Sequence, residues 1–107
     1  MRDWLQEAEA ALDNLIETDH KLAELRTKYE RDKRVSKRKG SAIFLRTKGN
    51  IPEREAQVEA HPEYQTSEAA EMTALLEYEK LKNTRDTNKL VIEFWKSWQK
   101  AKREGDI

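Results

Sequence analysis

Apolar residues return every three to four positions along most of this chain, which is the period of an α-helix buried on one side. From Asp3 the stripe runs through Leu5, Ala8, Leu12, Leu15, Leu22, Leu25 and Tyr29, with Asp3 placed to cap it and acids in the first turns. The pattern thins over Glu30 to Lys39, where Val35 is the one apolar residue, and returns at Ile43, Phe44 and Leu45. Gly40 costs a helix about 1 kcal/mol against alanine without forbidding it, so a first helix is expected over about residues 3–47. Gly49 and Asn50 then suit a stop, and Pro52 suits the first turn of a short helix over about residues 52–60.

His61-Pro62 forces a second break, because the residue before proline is pushed away from helical geometry. Beyond it no glycine or proline occurs until Gly105, and a stripe through Ala70, Ala74, Tyr78, Leu81, Asn88, Ile92 and Trp95 predicts one long helix over about residues 62–103. At ~1.5 Å per residue a helix of about forty residues is near 60 Å long. The expected fold class is therefore all-α: one domain over residues 1–107, a long coiled-coil-like antiparallel helical hairpin with a short connecting helix.

Charge supports opposite directions for the two long helices. Met1 to Glu24 carries seven acids and two bases, Lys28 to Lys39 seven bases and two acids, Glu63 to Glu79 five acids and no base, and Lys80 to Ile107 eight bases and four acids. Folding the chain back near residue 56 sets each basic block beside an acidic one, whereas a parallel pair would oppose like charges. Exposed pairs contribute only about 0–1 kcal/mol each, so they select orientation more than they stabilise.

Composition narrows the function. Charged residues make up 39% and hydrophobic ones 36%, a balance of long helices, while zero net charge and three tryptophans argue against disorder. Cysteine is absent, which removes disulfides, thiolate metal sites and cysteine nucleophiles. Acids at positions 3, 7, 9 and 13 are incompatible with a signal peptide, and no apolar run reaches the ~18 residues of a membrane span, so a cytoplasmic protein with no membrane partner is expected.

Two groups of residues invite a binding role. Arg31, Arg34 and Arg38 share one helix face, with Lys37 beside them, as a helix following nucleic-acid phosphates requires; the plainer reading is that Glu68, Glu71, Glu77 and Glu79 neutralise this segment. Near the end, Phe94, Trp95 and Trp98 alternate with Lys96 and Lys100, which would suit stacking on unpaired bases; the plainer reading has them closing the core against Trp4 and Leu5. Leu90, Val91, Ile92, Phe94 and Trp95 span more of the circumference than one partner helix covers, so Leu90, Val91, Phe94, Trp95 and Trp98 are the expected partner interface, with a homodimer forming four helices. His20 shares a face with Glu17 and Glu24, a triplet common by chance in so acidic a chain; no metal, cofactor or catalytic residue is expected.

The words Ile51-Pro52-Glu53-Arg54-Glu55-Ala56, Pro62-Glu63-Tyr64, Glu77-Tyr78-Glu79-Lys80 and Ile92-Glu93-Phe94-Trp95-Lys96-Ser97 give residues 20–107 a resemblance to small helical bacteriophage or prophage proteins. Those proteins are encoded among early replication and recombination genes. The resemblance implies a non-enzymatic accessory or adaptor protein in the host cytoplasm, binding a protein partner or single-stranded nucleic acid. An inhibitor directed at a host defence or replication protein is the alternative.

Overall fold

The computed structural model describes residues 2–105 and contains three helices, α1 (Trp4–Arg46), α2 (Ile51–Ala60) and α3 (Pro62–Arg103). No strand occurs among the described residues. The architecture is all-α.

Each boundary has a local cause. At the start of α1, Asp3 Oδ1 accepts from the Gln6 amide at 3.0 Å, satisfying a donor the helix cannot use. The helix stops at Arg46, where the Thr47 amide turns back to the Phe44 carbonyl at 3.3 Å and the Thr47 hydroxyl to that of Ile43 at 2.7 Å. Gly49 adopts φ 122°, a region side chains avoid, and reverses the chain. Asn50 then caps α2, its Oδ1 accepting from the Glu53 amide at 2.9 Å while its Nδ2 donates to Glu53 Oε1 at 3.0 Å. That cap lets α2 begin at Ile51, one residue before Pro52. His61 is extended, with φ −74° and ψ 127°, as the following proline demands. Its Nδ1 accepts from the Glu63 amide at 3.2 Å and thus caps α3.

The chain forms two compact units. One contains α1 through Ala23 and α3 from Glu79; the other is Glu24–Tyr78. Within the first unit Trp4 meets Phe94, Asn14 meets Asn88 and Leu15 meets Arg85, so the two helical segments run in opposite directions. Within the second, Tyr29 stacks on Tyr78 at 6.3 Å, Lys28 lies 3.9 Å from Glu77, and Gly40 lies against Tyr64, giving the same sense.

The inward positions follow a stricter rule than the expected stripes. On α3 they are Tyr64, Ser67, Glu71, Ala74, Tyr78, Leu81, Arg85, Asn88, Ile92 and Trp95, alternating steps of three and four. Such steps average 3.5 residues, a seven-residue repeat. The expected stripe matches this set from Ala74 to Trp95; Ala70 alone is exposed, and Glu71 takes the inward position beside it. On α1 the inward set is Trp4, Ala8, Ala11, Leu15, Thr18, Leu22, Leu25, Tyr29, Asp32 and Ser36, in the same alternation. Leu5 and Leu12 are left half exposed, at 49% and 50%. Small residues explain the choice: Ala8, Ala11, Ser36, Ser67 and Ala74 are buried, and their short side chains let paired backbones approach closely. A seam of alanine and serine is thin, and larger apolar groups remain outside it.

Candidate interaction surfaces

The first surface is the outer face of α1. With Leu25, Tyr29, Asp32 and Ser36 turned inward, the helical period carries Arg31, Arg34, Lys37 and Arg38 away from the seam, and all four are exposed. Their side chains make no hydrogen bond or ion pair among the described residues. Lys33 lies 5.9 Å from the Tyr29 ring, and Lys28 makes the pair with Glu77. Direct pairing with the acids of the same unit is thus confined to the edge of the basic run. Four adjacent cations keep their full capacity for an external anion.

Lys96 and Lys100, the other two expected nucleic-acid contacts, belong to the first unit. Both line a shallow recess with Trp95, Gln99 and Arg103. Four of the six basic candidates therefore cluster on α1 within the Glu24–Tyr78 unit, and two lie beside Trp95.

The residues of the expected apolar band lie at different places around α3. Trp95 faces the seam, where it joins Leu5, Ala8, Leu12 and Ile92 in a groove of about 460 Å³ rimmed by Glu9 and Lys96. Its indole Nε1 is buried with no partner among the described residues. Phe94 turns instead to Trp4, at 4.4 Å between ring centroids, and stays 47% exposed. Trp98 lines a separate cleft with Arg2, Trp4, Leu5 and Lys102, and Lys102 sits 5.1 Å from its ring. Val91 is half-buried, while Leu90 points away from the seam. A helix spreads six consecutive residues around more than a full turn, so such a run is divided between two flanks and the outer face.

A polar layer that sequence reading did not single out crosses the same unit. Arg85, only 8% exposed, donates from Nη1 to the Leu15 carbonyl at 2.7 Å and to Thr18 Oγ1 at 2.8 Å, and its Nη2 lies 3.4 Å from Asp19 Oδ1. The Thr18 hydroxyl in turn donates to the Asn14 carbonyl at 2.6 Å. Asn88 Nδ2 donates to Asn14 Oδ1 at 2.6 Å, one turn along α3. The signal was available: the expected stripe already held Asn88, and Arg85 fills the gap it left between Leu81 and Asn88 at the same spacing of three and four.

The last feature is a corner of about 570 Å³ where the end of α1, α2 and the start of α3 meet. Gly40, Ser41, Phe44 and Leu45 face Glu55, Val58, Glu59 and Tyr64. A methyl group on Gly40 would come within 3.2 Å of Tyr64 Cε1, so the absent side chain is what seats the ring. Arg54 donates from Nε and Nη2 to the Phe44 carbonyl at 3.1 and 2.7 Å, and its guanidinium lies 4.0 Å from the Phe44 ring centroid. The Tyr64 hydroxyl is held above its ordinary pKa of 10.0, first by hydrogen bonding to Glu68, then by burial and by the charges of Glu68, Glu71 and Glu59.

Among the described residues no three His, Asp or Glu side chains converge to hold a metal ion, and no helix is long and apolar enough to cross a membrane. Compared with known protein families, curated proteins and solved structures, the chain matches none.

Proposed function

We propose that this chain is a non-enzymatic helical accessory protein, a coiled-coil-like hairpin that acts by holding other macromolecules along its helices. The observation that carries this reading is the groove of Leu5, Ala8, Leu12, Ile92 and Trp95, where two half-exposed leucines border a seam too thin to enclose them. Contiguous apolar surface of this kind on a soluble chain favours burial against another helix. A second copy supplies that helix, and Glu9 and Lys96 on the two rims offer opposite charges for a two-fold pairing into four helices. The resemblance of residues 20–107 to phage early proteins supports a role in phage DNA replication or recombination, in the host cytoplasm.

Sedimentation equilibrium tests the association. The wild type is expected to dimerise at micromolar concentration, and Leu12→Glu, on an already half-exposed position, to give a helical monomer. A wild type that stays monomeric to about 100 μM, well above the ~1 μM that specific dimers commonly reach, would overturn the dimer.

A second reading, binding of single-stranded nucleic acid, is favoured by the four outward cations without ion-pair partners. Labelled oligonucleotides should raise fluorescence anisotropy at low salt and lose affinity steeply as salt rises, and Arg34→Glu with Arg38→Glu should abolish the signal. A flat titration removes nucleic acid and leaves a protein target, including the host protein of the inhibitor alternative.

A further inference from the structure

We infer that the corner between α1, α2 and α3 is a receptor for an arginine side chain presented by a partner protein. Its lining shares no residue with the groove or the basic face on which the proposed function rests.

Its geometry comes first. Gly40 removes the side chain that would occupy the floor, so the Tyr64 ring lies against the α1 backbone with Val58 alongside, 3.6 Å from where a Cβ would stand. Phe44 adds a second ring and Leu45 an apolar lip that is largely exposed. On the opposite wall Glu55 and Glu59 stand one turn apart on α2, and neither carboxylate is engaged in an ion pair or hydrogen bond among the described residues. Arg54 already covers one face of Phe44, so the recess offers the Tyr64 ring, the remaining Phe44 surface, an aliphatic wall and two unspent carboxylates.

Each part selects the same ligand. Ring faces carry negative quadrupoles that attract a cation lying over them. Unpaired carboxylates accept hydrogen bonds from a positively charged donor, and a guanidinium can offer them two parallel N–H groups. The apolar wall suits the methylene stem behind such a head group. An arginine side chain meets all three requirements, whereas an ammonium lacks the flat surface that stacks on a ring. Arg54 already shows the match within the molecule, since its guanidinium lies over Phe44 while its protons are spent on the Phe44 carbonyl. That intramolecular cation opposes a second one, so Glu55 and Glu59 must supply the attraction. The negative potential is also felt by Tyr64, whose phenolate form is disfavoured by Glu68, Glu71 and Glu59.

The test uses the full-length chain and n-butylguanidinium as the probe, with neutral n-butylurea as its shape control, followed by amide chemical shifts. Butylguanidinium should produce saturable shifts at Gly40, Ser41, Val58, Glu59 and Tyr64, and butylurea should not. Glu55→Gln with Glu59→Gln, both exposed substitutions that keep the helix, should weaken binding roughly three- to tenfold, in line with partly solvated charge pairs. Equal shifts with butylurea would reduce the corner to an apolar recess and overturn the inference. So would butylguanidinium shifts that never saturate and spread over surface carboxylates in general. A failure here leaves the dimer and the basic face untouched, because neither uses these residues.

Discussion

Arg85 on α3 reaches across the seam and donates to the main-chain carbonyl of Leu15 on α1 at 2.7 Å. The same Nη1 also bonds Thr18, so one buried guanidinium ties α3 to two successive turns of α1. Buried charge costs free energy unless its protons are used, and Nε of Arg85 has no partner among the described residues. Arg85 therefore fixes alignment more than it adds stability. Arg85→Ala should lower unfolding free energy by about 1–3 kcal/mol, since the Thr18 oxygen loses its donor and a void opens. Arg85→Met should stay within about 1 kcal/mol of the wild type, because an unbranched apolar side chain fills much of the same space and avoids the desolvation. Urea denaturation followed by circular dichroism separates the two; equal losses would show that the guanidinium itself stabilises the seam.

Asn14 and Asn88 make the companion contact at 2.6 Å. Asn88 lies in the seam and Asn14 at its flank, and a polar pair in such a place gives up stability for a single register, since any slip leaves both amides unpaired. Asn14→Leu with Asn88→Leu should raise the urea midpoint and at the same time broaden the distribution of assembled species seen by sedimentation velocity. A uniform species in the double variant would show that register is set elsewhere.

The joint between α1 and α2 depends on two residues with different duties. Asn50→Ala removes the cap on the Glu53 amide and should cost about 1 kcal/mol. Gly49→Ala should cost about 1–2 kcal/mol, because a Cβ at φ 122° is strained and would also stand 2.5 Å from Glu53 Oε2. Thermal unfolding of the two variants and their combination checks this. The double variant should fall short of the sum, since both act on Glu53.

Tyr64 gives the fold a dependence on alkaline pH. Its folded pKa lies above the unfolded value of 10.0, chiefly through Glu68, so the folded state holds the proton more tightly. The stability this contributes is fully present below pH 10.0 and is lost as pH rises through the higher folded value. Denaturation midpoints should therefore fall above pH 10.0 in the wild type and fall less in Tyr64→Phe. Parallel declines in the two proteins would assign the alkaline loss to other groups.

The helices and their breaks were legible because they are local matters. Two prolines, Gly49, Asn50 and the residue before Pro62 act through their own backbones, and no distant contact is needed to say where a helix must stop. The cations of α1 were legible for the same reason: the period alone puts Arg31, Arg34 and Arg38 on one face. The seam was harder to read, since apolar character pointed to Leu5, Leu12 and Ala70, whereas the inward register passes through Ala11, Ser67 and Arg85. Hydropathy ranks side chains one at a time, but two helices pack according to how closely their backbones can come, and alanine or serine wins that contest over leucine.

By itself, then, the sequence determined where the helices begin and end, their period and the blocks of charge along them, because φ/ψ preferences and side-chain spacing are properties of single residues and near neighbours. Only the tertiary structure decided that Arg85 is buried, that Asn88 pairs with Asn14, that Phe94 goes to the Trp4 ring while Trp95 turns to Leu5 and Leu12, and that Gly40 makes room for Tyr64. Those outcomes depend on which residues of remote segments meet, and a buried polar group becomes acceptable only when its partner, seventy positions away in the case of Leu15 and Arg85, arrives at hydrogen-bonding distance.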